Sequence, residues 1–189
     1  MKHLILASTS PYRRELLQRL GLAFNAIDPG IQEAVIEGES PPERALRLAT
    51  EKARACASAG SVVIGSDQVA ARGRKVLHKP GSAEIAIQQL VDCQGQQVDF
   101  FTGVTIFDGQ TCQSTIDHTT VVFKNQSRAA IERYVSLEQP LNCAGGFKVE
   151  GLGIALFERV ESTDPTALIG LPMIWVAETL RTMGLDPLG

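Results

Sequence analysis

The sequence predicts an α/β fold, with a mixed, elongated β-sheet flanked by helices and opened by a central cleft. Three observations predict it. Apolar runs of strand length alternate with stretches of helical period. Asp108-Gly109 joins two long runs, Gln97–Phe107 and Thr111–Phe123, and this hairpin signal excludes a purely parallel sheet. The chain has 189 residues, 44% hydrophobic and 21% charged, which is enough for one buried core and predicts a single domain over residues 1–189.

Taken in order, His3–Ala7 is an apolar strand. Ser10 caps a helix from Pro11 to about Leu20, with Leu16, Leu17 and Leu20 on one face and Gly21 as its stop. Ala23–Asp28 reads as a second strand and Pro29–Glu39 as a loop. Ser40-Pro41-Pro42-Glu43 is a capping-box signature opening a helix to about Ala59, with Ala45, Leu48, Ala49, Ala53 and Cys56 on its inner face. Ser61–Ala71 is a strand that contains Asp67, and Arg72-Gly73-Arg74-Lys75 is a hairpin turn. Ser82 caps a helix ending near Gly95, and Ser127 caps another reaching about Leu137, with Pro140 beyond it. Asn142–Gly153 is a glycine-rich loop, Ile154–Val160 a strand and Asp164–Leu171 a loop. A last helix starts at Pro172.

Net charge is −3, and the sequence pI is about 5.6. That balance argues against a general nucleic-acid surface or an acidic-membrane surface, so any anion site must be a local pocket. Cys56, Cys93, Cys112 and Cys143 form no C-x-x-C pair and read as free thiols. His78 has no partner at metal-ligand spacing. No run approaches a membrane span, and no basic, apolar leader opens the chain. A cytoplasmic protein is expected.

The candidate chemistry sits in charges at awkward places. Arg13 and Arg14 lie in the first turn of a helix, where free N–H groups and the dipole favour anions, and Ser8 and Ser10 precede them. Arginines there make sense beneath a bound phosphate, although a Ser-capped helix with solvated arginines fits the same residues. Lys52 falls on a helix face of small residues and either snorkels outward or points into a polar site. Asp67 interrupts an apolar strand, where a carboxylate is costly unless paired, metal-bound or bonded to nearby backbone. With Lys79 and Glu33, this makes four positive groups and two carboxylates. Such a set suits a triphosphate and a divalent cation, and with them hydrolysis of a phosphoanhydride.

Ser8-x-Ser10-Pro11-x-Arg13-Arg14-x-Leu16-Leu17 resembles the opening motif of the Maf family of nucleoside triphosphate pyrophosphatases. The match continues through Glu51-Lys52-Ala53, Gly65-Ser66-Asp67, Lys79-Pro80, Phe101-Thr102-Gly103, Ala144-Gly145 with Glu150-Gly151, and Gly170-Leu171-Pro172. The resemblance implies a fold like that of inosine triphosphate pyrophosphatases, often as a homodimer. It also implies cleavage between the α and β phosphates with Mg2+, Mn2+ or Co2+. By it, Asp67 accepts the proton of the attacking water, Glu33 and Asp67 lie near the metal, and Lys52 and Lys79 are catalytic residues that grip phosphate. Ser8, Ser10, Arg13 and Arg14 hold phosphate. Family members commonly carry an acidic pair where this chain has Gln32-Glu33.

Tyr12, Gln68 and Phe147-Lys148-Val149-Glu150 are similar to the YceF-type branch of the family, which hydrolyses 7-methyl-GTP. The chemistry is consistent with that branch. An N7-methylated guanine is cationic and is attracted to an aromatic face such as that of Tyr12. A carboxylate such as Glu150 accepts hydrogen bonds from N1–H and the 2-amino group. Gln68 supplies a further hydrogen bond. The alternatives are a dTTP/UTP or broad-range pyrophosphatase, and a non-catalytic nucleotide-binding regulator of cell division. The expected partner is a small-molecule nucleotide, with no nucleic acid and no membrane.

Overall fold

A computed structural model describes residues 2–189. The elements are β1 (His3–Ala7), α1 (Pro11–Gln18), β2 (Phe24–Ile27), α2 (Pro41–Ala55), β3 (Ser61–Arg72), β4 (Lys75–Leu77), α3 (Ala83–Cys93), β5 (Gln97–Phe107), β6 (Cys112–Phe123), α4 (Arg128–Glu138), β7 (Phe157–Glu161) and α5 (Met173–Thr182). They form an α/β structure on one seven-stranded mixed sheet of order β2-β1-β3-β5-β6-β7, with β4 paired to β3. β1 runs parallel to both β2 and β3, whereas β4 and β7 pair antiparallel to their neighbours. No helix among the described residues is long and apolar enough to cross a membrane.

The chain divides into two compact units. The first gathers the residues through Gln68, Thr102–Asp117 and Asp164–Gly189, and the second holds Val69–Phe101 and His118–Thr163. In the first unit β1 is buried on both faces, as parallel strands require. Leu4 and Leu6 join Leu16, Leu17, Val62, Ile64, Val104, Ile106 and the α5 residues Val176 and Leu180. Ile5, Ala7 and Val63 pack on the opposite side with Ala53 of α2. The second unit is centred on Phe100, Phe123, Phe147 and Phe157, whose rings meet edge to face at centroid distances of 4.8–5.7 Å.

Helix α2 lies unusually close to the sheet, for a reason written in small residues. Ala45, Ala49 and Ala53 are fully buried and recur every four residues on one face. Opposite them stand Gly65 of β3 and Gly103 of β5. A Cβ at Gly65 would collide with the Ala49 carbonyl oxygen and come within 2.5 Å of the Ala53 nitrogen. One at Gly103 would lie 2.5 Å from the Ala45 carbonyl group. The backbones of helix and sheet therefore touch where side chains would normally separate them.

Several boundaries differ from the sequence reading. α2 ends at Ala55 rather than near Ala59, where the Ala57 amide donates to the Arg54 carbonyl in a three-residue turn, and Arg72 and Lys75, expected in a turn, pair as the end of β3 and the start of β4. α1 ends at Gln18 rather than near Leu20, because Arg19, Leu20 and Gly21 donate to Leu16, Leu17 and Gln18 in tighter three-residue turns. The strand expected at Ile154–Val160 begins only at Phe157. Leu152–Leu156 is instead a 3-10 turn, held by the Leu152 and Gly153 amides donating to Glu138 Oε1 and the Lys148 carbonyl.

Replacing Gly65 by Ala should lower unfolding free energy by about 1–3 kcal/mol through overpacking, and Gly103→Ala should act alike. Urea denaturation measures both; an unchanged midpoint would show that α2 can retreat from the sheet without cost.

Candidate active site at the carboxyl end of β1

β1 stops at Ala7, opposite Gly65, while its parallel neighbour β3 continues to Arg72. The chain leaving β1 therefore turns beside Ser66 and Asp67. This is the carboxyl end of parallel strands, where open α/β sheets place ligands. Ser8, buried there, accepts the Ser10 amide at 3.1 Å. Ser10 caps α1 by accepting the Arg13 amide at 3.4 Å.

Side-chain alternation puts Gly65 and Asp67 on one face of β3 and Ser66 and Gln68 on the other. Gly65 lets α2 approach, and Asp67 then meets Lys52 of that helix. Lys52 Nζ donates to Asp67 Oδ1 at 2.6 Å and lies 2.6 Å from Glu33 Oε1. Lys52 and Asp67 are 7% and 9% exposed, so this ammonium does not snorkel. The Glu33 side chain is about half exposed. Glu33, Lys52 and Asp67, scattered in sequence, form one ionic triad.

Arg13 sits close enough for the charges of Asp67 and Glu33 to act on it. Burial pushes its guanidinium below the ordinary value, and the two carboxylates oppose that shift. Its Nε donates to the Gly170 carbonyl at 3.0 Å, and Nη1 reaches Ser8 Oγ at 3.5 Å. The same carbonyl accepts Ser66 Oγ at 2.8 Å. Gln68 and Thr102 brace the neighbouring turn. Gln68 Nε2 donates to Thr102 Oγ1, the Ala167 carbonyl and the Leu168 carbonyl at 2.9–3.1 Å, and Thr102 Oγ1 donates to the Ala167 carbonyl at 3.0 Å.

The structure thus brings together Ser8, Ser10, Arg13, Glu33, Lys52 and Asp67. Tyr12 is half-buried on the first turn of α1. Arg14 is exposed and lines an open depression of about 710 Å³ with Gln18 and residues 22–27. Lys79, in the loop before α3, and Glu150, in the turn before the 152–156 segment, are exposed residues of the second unit.

Four contributors escaped the sequence reading. Ser66, Thr102 and Gly170 lie inside motifs quoted for the resemblance, but nothing in their spacing shows that they meet. Arg47 has one sequence signal, the i,i+4 pairing with Glu51. Its stronger pairing, with Glu39, joins the helix to the residue before its cap, eight positions back. That pairing holds the Glu39 carboxyl below the usual carboxylate range through the Arg47 hydrogen bonds, against the upward push of burial.

No group of three or more His, Cys, Asp and Glu gathers to hold a metal among the described residues. Asp67 and Glu33 could still supply two carboxylates to a hard divalent cation, with water and phosphate oxygens filling the other positions.

The chain matches the family model described as Maf-like protein over residues 3–183. It is similar to the 7-methyl-GTP pyrophosphatase of Pseudomonas putida, 48% identical over 189 residues and covering 98% of each chain. The protein of the same name from Ralstonia nicotianae is 49% identical over 184 residues, 95% of each chain. Among solved structures, a HAM1 protein from Coxiella burnetii superposes with a TM-score of 0.47 at 15% identity, covering 93% of this chain and 99% of that one.

Lys52→Met would leave the Asp67 carboxylate without its ammonium, and should lower unfolding free energy by about 3 kcal/mol. Glu33→Gln, at a half-exposed position, should cost less than about 1 kcal/mol. Urea unfolding of the two variants checks this order; equal effects would show that Lys52 is not the centre of the triad.

Proposed function

The chain belongs to the Maf family of nucleoside triphosphate pyrophosphatases, and from that premise we propose that it hydrolyses 7-methyl-GTP to 7-methyl-GMP and pyrophosphate. The observation that carries the reading is the buried Lys52 bridging Asp67 and Glu33 beside Arg13. Two carboxylates and a buried ammonium stand together at the end of β1, the groups that a proton acceptor and a phosphate grip would need.

The chemistry follows from these groups. Lys52 has three N–H donors, of which two serve Asp67 and Glu33. The third is assigned to a phosphate oxygen. Arg13, its guanidinium oriented by Gly170 and Ser8, takes another. Ser8, Ser10 and the α1 N-terminus complete the grip, joined by Arg14 and Lys79 from their motif positions. Asp67 takes a proton from the water that attacks the α-phosphorus. The bond from that phosphorus to the bridging oxygen breaks, and pyrophosphate leaves with the electron pair. Asp67 and Glu33 would hold a Mg2+, Mn2+ or Co2+ ion, which would supply charge neutralisation on the phosphates.

For the base, Tyr12 on the first turn of α1 offers an aromatic face to the cationic ring. Glu150 accepts from N1–H and the 2-amino group. Gln68 has its amide nitrogen engaged by the 167–168 turn, so a base contact from it falls to Oε1.

The test is the purified protein with a panel of nucleotides and each metal. The expected products are 7-methyl-GMP and pyrophosphate, with turnover lost on chelation. Release of orthophosphate and the diphosphate would refute the cleavage point, and faster turnover of dTTP or UTP would refute the substrate. Binding without turnover under every metal would favour a nucleotide sensor. Asp67→Asn should lower kcat by about a hundred- to ten-thousandfold. Glu150→Ala should reduce kcat/KM for 7-methyl-GTP more than for UTP.

A further inference from the structure

Residues 28–40 carry Glu33 between β2 and α2 without forming a helix or strand. Packing holds them weakly, since every residue from Gln32 to Gly38 is exposed, including the apolar Val35 and Ile36. The backbone ties within this stretch are local, Ala34 N–H to the Gln32 carbonyl and Glu39 N–H to the Ile36 carbonyl. A segment with so few buried apolar contacts opens at low cost unless polar anchors hold it.

The anchor is Arg47 of α2. Its Nε and Nη2 donate to the two carboxylate oxygens of Glu39 at 2.5 and 2.7 Å, a bidentate fork. Nη2 also donates to the Ala34 carbonyl at 3.0 Å, and Nη1 to Glu51 Oε1 at 3.1 Å. The Arg47 and Glu39 side chains are 21% and 9% exposed, so water screens this fork less than a surface pair. Ala34 directly follows Glu33, whose carboxylate rests on Lys52 five residues further along the same helix. Two cations of α2 therefore grip the segment on either side of the Glu33–Ala34 bond.

We infer that Arg47 is a positioning residue, which fixes residues 34 and 39 against α2 and so keeps the Glu33 carboxylate on Lys52 beside Asp67. The kinetic part of this inference rests on the proposed pyrophosphatase reaction; the holding of the segment does not. A role through charge alone would survive Arg47→Lys. A role through the planar fork would not, because an ammonium cannot bond both Glu39 oxygens and the Ala34 carbonyl in that geometry.

Two readouts test it on the full chain. The first is limited proteolysis by a glutamyl endopeptidase at Glu33-Ala34 and Glu37-Gly38. Cleavage should be about tenfold faster in Arg47→Lys and in Glu39→Gln, as expected for loss of a charge-assisted hydrogen bond. The second is a double-mutant cycle on kcat. Arg47→Lys and Glu33→Gln should each lower kcat about tenfold, and the double variant should fall no further, because Arg47 acts through Glu33. Unchanged cleavage in both variants, wild-type kcat in Arg47→Lys, or multiplied losses in the double variant would overturn the inference. If the wild type hydrolyses no nucleoside triphosphate, the proposed activity falls, and the cleavage rates alone then decide the role of Arg47.

Discussion

The site depends on the direct contact between the backbone of α2 and the sheet. Gly65 and Gly103 leave no room for a Cβ, and Ala45, Ala49 and Ala53 present only methyl groups in return. This closeness sets how far Lys52 must reach. Its ammonium arrives within hydrogen-bond distance of Asp67, two residues beyond Gly65 on the same strand face. A wider spacing would leave a buried carboxylate without its cation, which low-dielectric surroundings penalise heavily. Packing and charge pairing are thus one constraint: the glycines make the ion pair reachable, and the ion pair makes the buried aspartate tolerable.

Around that pair the molecule uses backbone carbonyls and long cations as fixtures. The Gly170 carbonyl receives Arg13 and Ser66, while the Ala167 carbonyl receives Gln68 and Thr102. Gly170 has φ +132°, a region that disfavours side chains, and a Cβ there would stand 3.1 Å from Arg13 Nε. The motif Gly170-Leu171-Pro172 therefore has a local reason: its first residue must be bare for the arginine to dock. Arg47 does the equivalent for the irregular segment carrying Glu33. In both places an arginine fork supplies orientation that loop backbone cannot supply itself.

Much of this was legible in the sequence. Periodicity, caps and turn pairs located the helices and most strands, and the hairpin at Asp108-Gly109 required a mixed sheet. Lys52 on a face of small residues, Asp67 within an apolar strand and arginines in the first turn of a helix stood out because each violates a local preference. The late start of β7 was not legible, because Ile154–Val160 is apolar enough for a strand and the competing bonds come from Glu138 and Lys148. Arg13 and Arg14 were equivalent as letters. Only the fold directs Arg13 to Gly170 and Ser8 and leaves Arg14 along the depression beside β2.

By itself the sequence determined the α/β class, the order of the elements apart from the short β4, and the residues whose types are costly where they stand. Those follow from local periodicity and from desolvation, which act within a few residues. Only the tertiary structure decided that Glu33, Lys52 and Asp67 share one ionic contact, that Gln68 braces a turn through its amide, and that Arg47 holds the segment bearing Glu33. These pairings link residues 8 to 100 positions apart. Such distances are closed by helix-on-sheet packing and strand order, which no spacing along the chain encodes.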